Sequence, residues 1–246
     1  MVDTDSRNNN SRTPLSYAAE GGYEGIVKLL LETKNIDADL RNNNGRTPLL
    51  YAAEGGHKGI VKLLLATKKV DVNLKNNNGR TPLLCAAEGG HEGIVKLLLA
   101  TKKVDVNSKN IDNETPLLQA SKYGYEGIIK LLLATKEIDA NLKDTNNRTP
   151  LLQASKHGYE GIVKLLLATK EIDADLKDGY GETPLSLAAG NGHEGIVKLL
   201  LATKKVDVNW KDMWGRRLLS RVASNTRKAI KELLLEAGAK PCQKDE

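Results

Sequence analysis

The tripeptide Thr-Pro-Leu returns every 34 residues along the chain, and this period constrains the fold more than any other feature. The copies are nearly verbatim: residues 47–73 read TPLLYAAEGGHKGIVKLLLATKKVDVN, and residues 81–107 read TPLLCAAEGGHEGIVKLLLATKKVDVN. A fixed period of this size indicates a stack of identical supersecondary units, none of which buries its apolar face alone. The tripeptide begins at Thr13, Thr47, Thr81, Thr115, Thr149 and Thr183.

The residue types within one copy predict two helices and a finger. Thr47-Pro48 is a helix start, because a hydroxyl N-cap precedes a proline at the first helical position. Gly55-Gly56 ends this helix one, and apolar spacing predicts a helix two over about residues 58–66. An extended segment at 70–73 then leads to a polar tip at 75–80, whose Asn-Gly is typical of a hairpin. The predicted unit is therefore helix, turn, helix, β-finger.

This pattern of Thr-Pro-Leu-x-x-Ala-Ala, a Gly-His turn, a Val/Leu-rich helix two and Asp-Val-Asn resembles the ankyrin repeat over essentially the whole chain. The resemblance implies an all-α fold, an ankyrin-repeat α-solenoid of units stacked in one array. The copies depart from the family in carrying Leu or Ser at the fourth position, usually His, and in exceeding the usual period of about 33 by one residue. Near-identical copies with this longer loop are similar to filamentous-fungal ankyrin arrays, some of which form the sensor end of NLR-like proteins.

The whole chain, residues 1–246, is predicted to form a single solenoid of six complete repeats and a degenerate C-terminal cap. In the last copy Arg217-Leu218 replaces Thr-Pro, and a terminal repeat must bury one face and expose the other to water. Ser16 and Glu32 replace apolar residues near the N-terminus and predict a weaker polar cap; residues 1–12 shield that edge, or the array is part of a longer one. Polar residues crowd the last copy: Arg221, Ser224, Asn225, Thr226, Arg227, Lys228, Lys231 and Glu236. The predicted repeats are 11–41, 45–75, 79–109, 113–143, 147–177, 181–211 and 215–243.

The sequence predicts no catalytic site, no metal site and no cofactor. His57, His91 and His193 occupy one repeat position, so we expect them to lie about 8–10 Å apart, too far to share a zinc ion. We expect their rings to satisfy backbone groups in the turn between helices. Cys85 and Cys242 lie far apart without metal-ligand spacing, and no phosphate-binding glycine motif is present. The chain is therefore predicted not to be an enzyme.

The formal net charge of +6 raises the question of an anionic partner. A lysine recurs at one position of helix two, and a phosphate-binding ridge is one interpretation. Neighbouring glutamates and the absence of interleaved aromatics favour a solvated helix face, so we expect neither nucleic acid nor a membrane as partner. The chain lacks a stretch of about 18 apolar residues and its first ten residues are too polar for a signal peptide. We expect an intracellular monomer, in the cytoplasm or the nucleus.

The copies differ mainly at the fingertips and on helix one, which line the concave side in this family. Helix two barely changes, and a fixed framework with variable tips is typical of a binding surface; drift on an unconstrained exterior is the alternative. Aromatic and soft residues, favoured as interface anchors, collect late at Tyr180, Met213, Trp214 and Trp210. The predicted partner-binding residues are Arg46, Arg80, Ile111, Asp112, Glu114, Arg148, Tyr180, Glu182, Met213 and Trp214 on the fingers, and Tyr51, Lys122, Tyr123, Lys156 and His157 on helix one.

We therefore predict a non-enzymatic recognition scaffold or adaptor that binds a protein partner on its concave face. A regulatory component is the first alternative, either a transcription coregulator or the sensor array of a larger NLR-like signalling protein. The second alternative, which the regularity of the copies raises, is a consensus-like array without a natural partner.

Overall fold

The repeats fold into pairs of short helices. The computed structural model describes residues 5–33, 36–222 and 228–240, and the chain divides into two compact units, residues 1–138 and residues 139–246. The helices of the first unit are α1 (Pro14–Glu20), α2 (Glu24–Leu31), α3 (Pro48–Glu54), α4 (Lys58–Ala66), α5 (Pro82–Glu88), α6 (Glu92–Ala100), α7 (Pro116–Tyr123) and α8 (Glu126–Leu133). Those of the second unit are α9 (Pro150–His157), α10 (Glu160–Leu167), α11 (Pro184–Asn191), α12 (Glu194–Ala202), α13 (Leu218–Arg221) and α14 (Lys228–Glu236).

Every complete repeat begins helix one with the predicted threonine cap. Thr47 is extended, and its hydroxyl oxygen accepts a hydrogen bond from the Leu50 backbone N–H at 3.2 Å, while Pro48 is the first helical residue. The same cap recurs at the other five threonines of the tripeptide. It satisfies one of the backbone donors that a helix leaves free at its start, and its loss typically costs about 1 kcal/mol. Helix two of this repeat spans 58–66 as predicted.

The fingers are closed loops and contain no strands, which corrects the predicted β-finger. Asn76 N–H donates to the carbonyl of Arg80 at 3.0 Å, and Gly79 N–H donates to the carbonyl of Asn76 at 2.9 Å. Across the described residues the structure has no strand, only an isolated bridge between Lys211 and Arg217. The Asn76 side-chain oxygen accepts the backbone N–H groups of Asn78 and Arg80, so a side chain does here what a second strand would do.

The segment at 70–73 is also not extended as predicted. The Asp71 carboxylate accepts the Asn73 N–H at 2.9 Å and turns the chain at Val72-Asn73. Within each unit, the Asn or Asp at this second position of the turn joins neighbouring repeats. The Asn73 amide donates to the carbonyl of Lys103 at 2.8 Å, and its oxygen accepts the Asp105 N–H at 2.8 Å.

The histidine rings contact backbone carbonyl groups, as predicted from the turn that they occupy, and these groups belong to the preceding repeat. The ring Nε2 of His57 lies 3.0 Å from the carbonyl oxygen of Glu20, and that of His91 lies 3.1 Å from the carbonyl oxygen of Glu54. In the second unit His193 makes the same contact with the carbonyl of Lys156 at 3.1 Å. Each ring satisfies a carbonyl at the end of the preceding helix one, where helices leave acceptors free.

The N-terminal edge of the first unit is a weaker polar cap than the sequence predicted. Ser16 is buried, with its hydroxyl 3.1 Å from the Thr13 hydroxyl, so it does not form the polar surface that the sequence suggested. Ile26 on α2 is 50% exposed, whereas Ile60 at the equivalent position of α4 is 1% exposed. The side chain of Ile26 is therefore half uncovered, and Glu32, at the C-terminal end of α2, is exposed as the sequence predicted for a polar cap.

The last described helix has the two faces that a cap requires. On α14, Ile230 and Leu234 are buried, while Lys228, Lys231 and Glu232 are exposed. The other predicted cap residues Ser224, Asn225, Thr226 and Arg227 lie outside the described residues, as do Cys242 and residues 241–243 of the seventh predicted repeat.

Candidate partner-binding site

In the first unit, a charge on each fingertip pairs with an opposite charge at the end of helix one. We call the surface formed by the fingertips and helix one the finger–helix strip. Arg46 Nη2 lies 2.9 Å from Glu54 Oε2, and at the fourth repeat Lys122 Nζ lies 3.5 Å from Glu114 Oε1 with the signs reversed. Such partly exposed pairs contribute about 0–1 kcal/mol, but they leave the strip locally neutral. The pairs are Arg12–Glu20, Arg46–Glu54, Arg80–Glu88 and Glu114–Lys122.

Tyr51 supports this strip from beneath. It is only 6% exposed, and its hydroxyl accepts a hydrogen bond from Asn42 Nδ2 at 2.9 Å. The guanidinium carbons of Arg12 and Arg46 lie 4.8 and 5.2 Å from the centre of its ring. Tyr51 therefore offers little surface to a partner and holds the arginines in place. Cys85 takes the same helix position in the third repeat, where burial raises the pKa of its thiol to about 12 and keeps it un-ionised.

Exposed apolar surface on the first unit's strip lies at Tyr17 of the first repeat and, over a larger area, at the fourth repeat. Ile111 and Asp112 are exposed at the fingertip, and Tyr123 is exposed at the end of α7. The Tyr123 ring lies 6.1 Å from that of Tyr125, and Lys122 Nζ lies 5.4 Å from its centre. These predicted residues are available for contact, although the neighbouring Lys122 is engaged by Glu114.

In the second unit the fingers at 144–148 and 212–216 each hold their own arginine. Asp144 replaces the asparagine found in earlier fingers; its Oδ1 accepts the N–H groups of Asn146 and Arg148 at 2.8 Å, and its Oδ2 accepts Arg148 Nε at 2.7 Å. Asp212 binds Arg216 in the same way, with Nε at 2.5 Å. Burial alone would raise the pKa of Asp212, but hydrogen bonds from the Arg216 side chain and from backbone N–H groups outweigh burial and lower it.

The second unit contains a groove between its fingers and helices one. Its volume is about 430 Å³, and Tyr180 and Trp214, each 61% exposed, line it from successive fingers. The guanidinium carbon of Arg216 lies 4.7 Å from the centre of the Trp214 ring. The groove brings together five predicted site residues: Arg148, Lys156, Tyr180, Glu182 and Trp214. Met213 and His157 are exposed but do not line it.

Two predicted residues of this region are structural. Glu182 is buried, where its carboxylate contacts Arg221 and accepts the Ser186 hydroxyl at 2.7 Å. Trp210 is 1% exposed, and its indole N–H donates to the carbonyl of Gly181 at 2.6 Å. Trp210 is thus a core residue that supports the sixth finger, and not the surface anchor that its residue type suggested.

Sequence reasoning missed Gln153, which lies in the groove floor. It is 2% exposed, and its Nε2 has no hydrogen-bond partner among the residues that the structure describes. The sequence signal was the change from Tyr51 and Cys85 to glutamine at one position of helix one. From the sequence alone, a variable side chain at this position of helix one is interpreted as surface variation, because its burial is not visible.

Comparisons with known proteins agree with this repeat architecture. A family model described as ankyrin repeats (3 copies) matches residues 1–76, 66–144, 102–178 and 151–245. The chain belongs to the ankyrin-repeat family. Its structure is similar to the crystal structure of the human ASB11 ankyrin repeat domain, with a TM-score of 0.76 and 25% sequence identity over 94% of this chain and 100% of that one. A search of curated protein sequences returned no match.

Ankyrin repeats generally mediate protein–protein interactions and are typically non-catalytic. Of the helices that the structure describes, none combines the length and the apolar character needed to cross a membrane.

Proposed function

We propose that this ankyrin-repeat protein is a non-enzymatic recognition scaffold that binds a protein partner through its finger–helix strip, with its strongest contacts in the groove of the second unit. The observation that carries this proposal is the pair of exposed aromatic side chains, Tyr180 and Trp214, on successive fingers of one groove. Tyrosine and tryptophan are the residue types most enriched among the few that dominate the binding energy of interfaces.

The fingers hold both aromatics on rigid loops. The Asp178 side chain accepts the N–H groups of Tyr180 and Glu182 at 2.8 and 2.9 Å. Asp212 does the same for Trp214 and Arg216 at 2.9 and 2.8 Å. Because these loops are already ordered, a partner that binds them loses less free energy to loop ordering. The order of these loops supports a role for Tyr180 and Trp214 in binding a partner.

The first unit contributes a second, weaker contact area in the proposal. Ile111 and Tyr123 supply exposed apolar surface, while the neighbouring charges are paired within the strip. An intracellular location and a monomeric state remain predictions from the sequence.

The test compares partner capture by two matched double variants. Replacing Tyr180 and Trp214 with Asn restores the residue of Asn44, Asn78 and Asn146 at the same fingertip position, so folding is expected to be preserved. If either aromatic is a hot spot, the affinity of the captured partner falls by about 2 kcal/mol or more, roughly thirtyfold.

The control variant replaces Lys130 and Lys164 on helix two with Gln. Among the described residues these exposed lysines form ion pairs with Glu126 and Glu160 on their own helices, at 2.8 and 2.7 Å. Affinity measured by calorimetry on the captured partner is expected to stay nearly unchanged. Loss of binding in the lysine variant with normal binding in the aromatic variant would move the recognition surface to helix two and contradict the proposal.

A further inference from the structure

We infer that the groove of the second unit contains a carboxylate-binding subsite, formed by Gln153 Nε2 and Lys156 Nζ, which binds an Asp or Glu side chain of an acidic partner segment. The inference rests on the proposed function, because it names the chemistry of the segment that this groove recognises. It is carried by a comparison of the fourth and fifth repeats.

The fourth repeat shows the subsite filled by the protein's own carboxylate. Glu114 Oε2 accepts a hydrogen bond from Gln119 Nε2 at 2.5 Å and another from Asn110 Nδ2 at 2.9 Å. Its other oxygen, Oε1, lies 3.5 Å from Lys122 Nζ. One carboxylate thus satisfies two amide donors and an ammonium group, a charge-assisted set that is stronger than neutral hydrogen bonds.

The fifth repeat keeps the donors and lacks the carboxylate. Its helix one reads PLLQASKH, against PLLQASKY in the fourth, so Gln153 and Lys156 replace Gln119 and Lys122 one period later. The position of Glu114 is taken by Arg148, and the finger carboxylate of Asp144 holds Arg148 by its Nε. The acceptor that the two donors use in the fourth repeat is therefore absent from the fifth.

Both donors are left without an acceptor. Gln153 Nε2 is buried and has no partner, and Lys156 Nζ forms no ion pair among the described residues. A buried donor without a hydrogen bond costs about 1–3 kcal/mol, so an acceptor from a partner that reaches it gains that free energy. Both residues line the groove, and a rotation of the Gln153 side-chain amide brings its covered Nε2 to the groove surface, where such an acceptor has room to enter.

The charges around the groove favour an acidic segment over a basic or neutral one. The buried lining acid Glu182 is neutralised by Arg221, and Asp178 is occupied by backbone N–H groups. Arg148 and Lys156 occupy the two positions that carry opposite charges in every repeat of the first unit. Tyr180 and Trp214 then supply the walls against which apolar residues beside the acid pack.

The experiment selects peptides from a display library of random 16-residue sequences on the full chain. Selected peptides are then measured against Arg148→Glu, which puts into the fifth repeat the carboxylate that Glu114 supplies to the fourth. The sixth repeat already combines an aspartate and a glutamate at these two finger positions, Asp178 and Glu182, so the arrangement is compatible with the fold, and a thermal melt checks it. Thr145→Glu controls for the added carboxylate, because it places one on the same finger at an exposed position outside the groove. Arg148→Gln controls for the lost arginine charge and is expected to bind the peptides nearly normally, because Asp144 already pairs with that arginine.

We expect the peptides that depend on Tyr180 and Trp214 to be rich in Asp and Glu. Their affinity is expected to fall at least about tenfold on Arg148→Glu and to stay within about twofold on Thr145→Glu, since hydrogen bonds to charged groups contribute about 1.5–3 kcal/mol. Changing the acid of a peptide to its amide is expected to weaken binding to the wild-type chain by a similar factor. The same change should have no further effect on Arg148→Glu, because the two changes remove one interaction.

The remaining outcomes separate the inference from the function on which it rests. Peptides that need Tyr180 and Trp214, but bind Arg148→Glu normally or tolerate loss of their acids, overturn the carboxylate subsite and leave the recognition groove standing. A further outcome is that the peptides lose affinity on Arg148→Glu and on loss of their acids, and bind the Tyr180/Trp214 variant normally. That result supports the carboxylate subsite and contradicts the assignment of Tyr180 and Trp214 as anchors. A selection that yields no peptide sensitive to either variant contradicts both.

Discussion

In the first unit each finger begins with an asparagine, whereas in the second unit it begins with an aspartate, and this difference decides where the fingertip arginine lies. The Asn42 amide donates to Tyr51, which leaves the Arg46 guanidinium to pair with Glu54 across the strip. The Asp144 carboxylate instead holds Arg148 on the finger. One framework thus produces a strip closed by its own ion pairs in one unit and an open groove in the other. The exchange of a finger amide for a carboxylate, together with Lys156 in place of the glutamate at the end of helix one, redirects the neighbouring arginine.

The largest effect expected from this comparison is on the stability of the fingers. Asp212→Ala leaves the N–H groups of Trp214 and Arg216 without their acceptor and removes the Arg216 pair. We expect the free energy of unfolding to fall by about 2–3 kcal/mol. Asn76→Ala, the matched change in the first unit, removes two backbone acceptor contacts and no ion pair, so a loss of about 1–2 kcal/mol is expected. Urea unfolding of both variants checks this order. Equal losses would mean that the Asp212 carboxylate stabilises its finger no more than the Asn76 amide stabilises its own.

The pH dependence of stability distinguishes the two kinds of finger. Folding lowers the pKa of Asp212 below its ordinary value of 3.8. A carboxylate with a lowered folded pKa contributes stability above its unfolded pKa and loses it as the pH falls through the folded value. The stability advantage of the wild-type chain over Asp212→Asn is therefore expected to shrink as the pH falls through the acid range below about 5. A constant difference over this range would show that the Arg216 pair does not depend on the charge of Asp212.

A smaller effect, an increase in the free energy of unfolding, is expected at a turn position that both units use to join neighbouring repeats. Asp39 and Asp175 occupy the position at which Asn73 joins neighbouring repeats through its amide, and each leaves one buried oxygen without a partner. Asp39→Asn and Asp175→Asn are each expected to raise the free energy of unfolding by about 1 kcal/mol. The new amide N–H replaces the unpartnered oxygen and can donate to a backbone carbonyl of the next repeat, as the Asn73 amide does. Chemical unfolding of each variant measures the gain.

Burial raises the pKa of Asp39 and Asp175 above 3.8. A raised carboxylate pKa means that the wild-type chain loses stability as the pH rises from 3.8 through the folded value. The gain from the asparagine is therefore expected to be larger at neutral pH than at about pH 3. Equal gains in unfolding free energy from Asp39→Asn and Asp175→Asn would show that the two units share this contact between repeats. A gain from only one of the two changes would show that the units differ here as well as in their fingers.

The smallest effect concerns the ion pairs that close the strip of the first unit. Arg46→Gln removes a partly exposed pair with Glu54 and is expected to lower the free energy of unfolding by about 0.5 kcal/mol. Raising the salt concentration is expected to reduce this difference further. A loss above about 2 kcal/mol in thermal unfolding would show that stacking of Arg46 on Tyr51, rather than charge pairing, dominates.

Local features of this fold could be predicted from the sequence, and features set by distant neighbours could not. Thr47-Pro48 and helix two at 58–66 follow from residues within one turn of each other. The missing strands follow from side chains such as Asn76 that accept the loop's own N–H groups. The burial of Trp210 depends on a carbonyl 29 residues away.

The candidate site divides in the same way. Tyr180 and Trp214 could be selected because their residue types depart from the Asn of earlier fingertips. Gln153 could not, because its missing acceptor becomes visible only when the contacts of Glu114 and Arg148 are compared in space.

The most direct test of the account uses the two tryptophans of the chain. Trp210 is buried and Trp214 is exposed on the groove, so a neutral quencher such as acrylamide reaches Trp214 and not Trp210. When a tryptophan-free acidic segment saturates the protein, we expect the quenchable fluorescence to disappear and the emission to move to shorter wavelength. If Trp214 stays as accessible to acrylamide in the saturated complex as in the free protein, the groove of the second unit is not the recognition site.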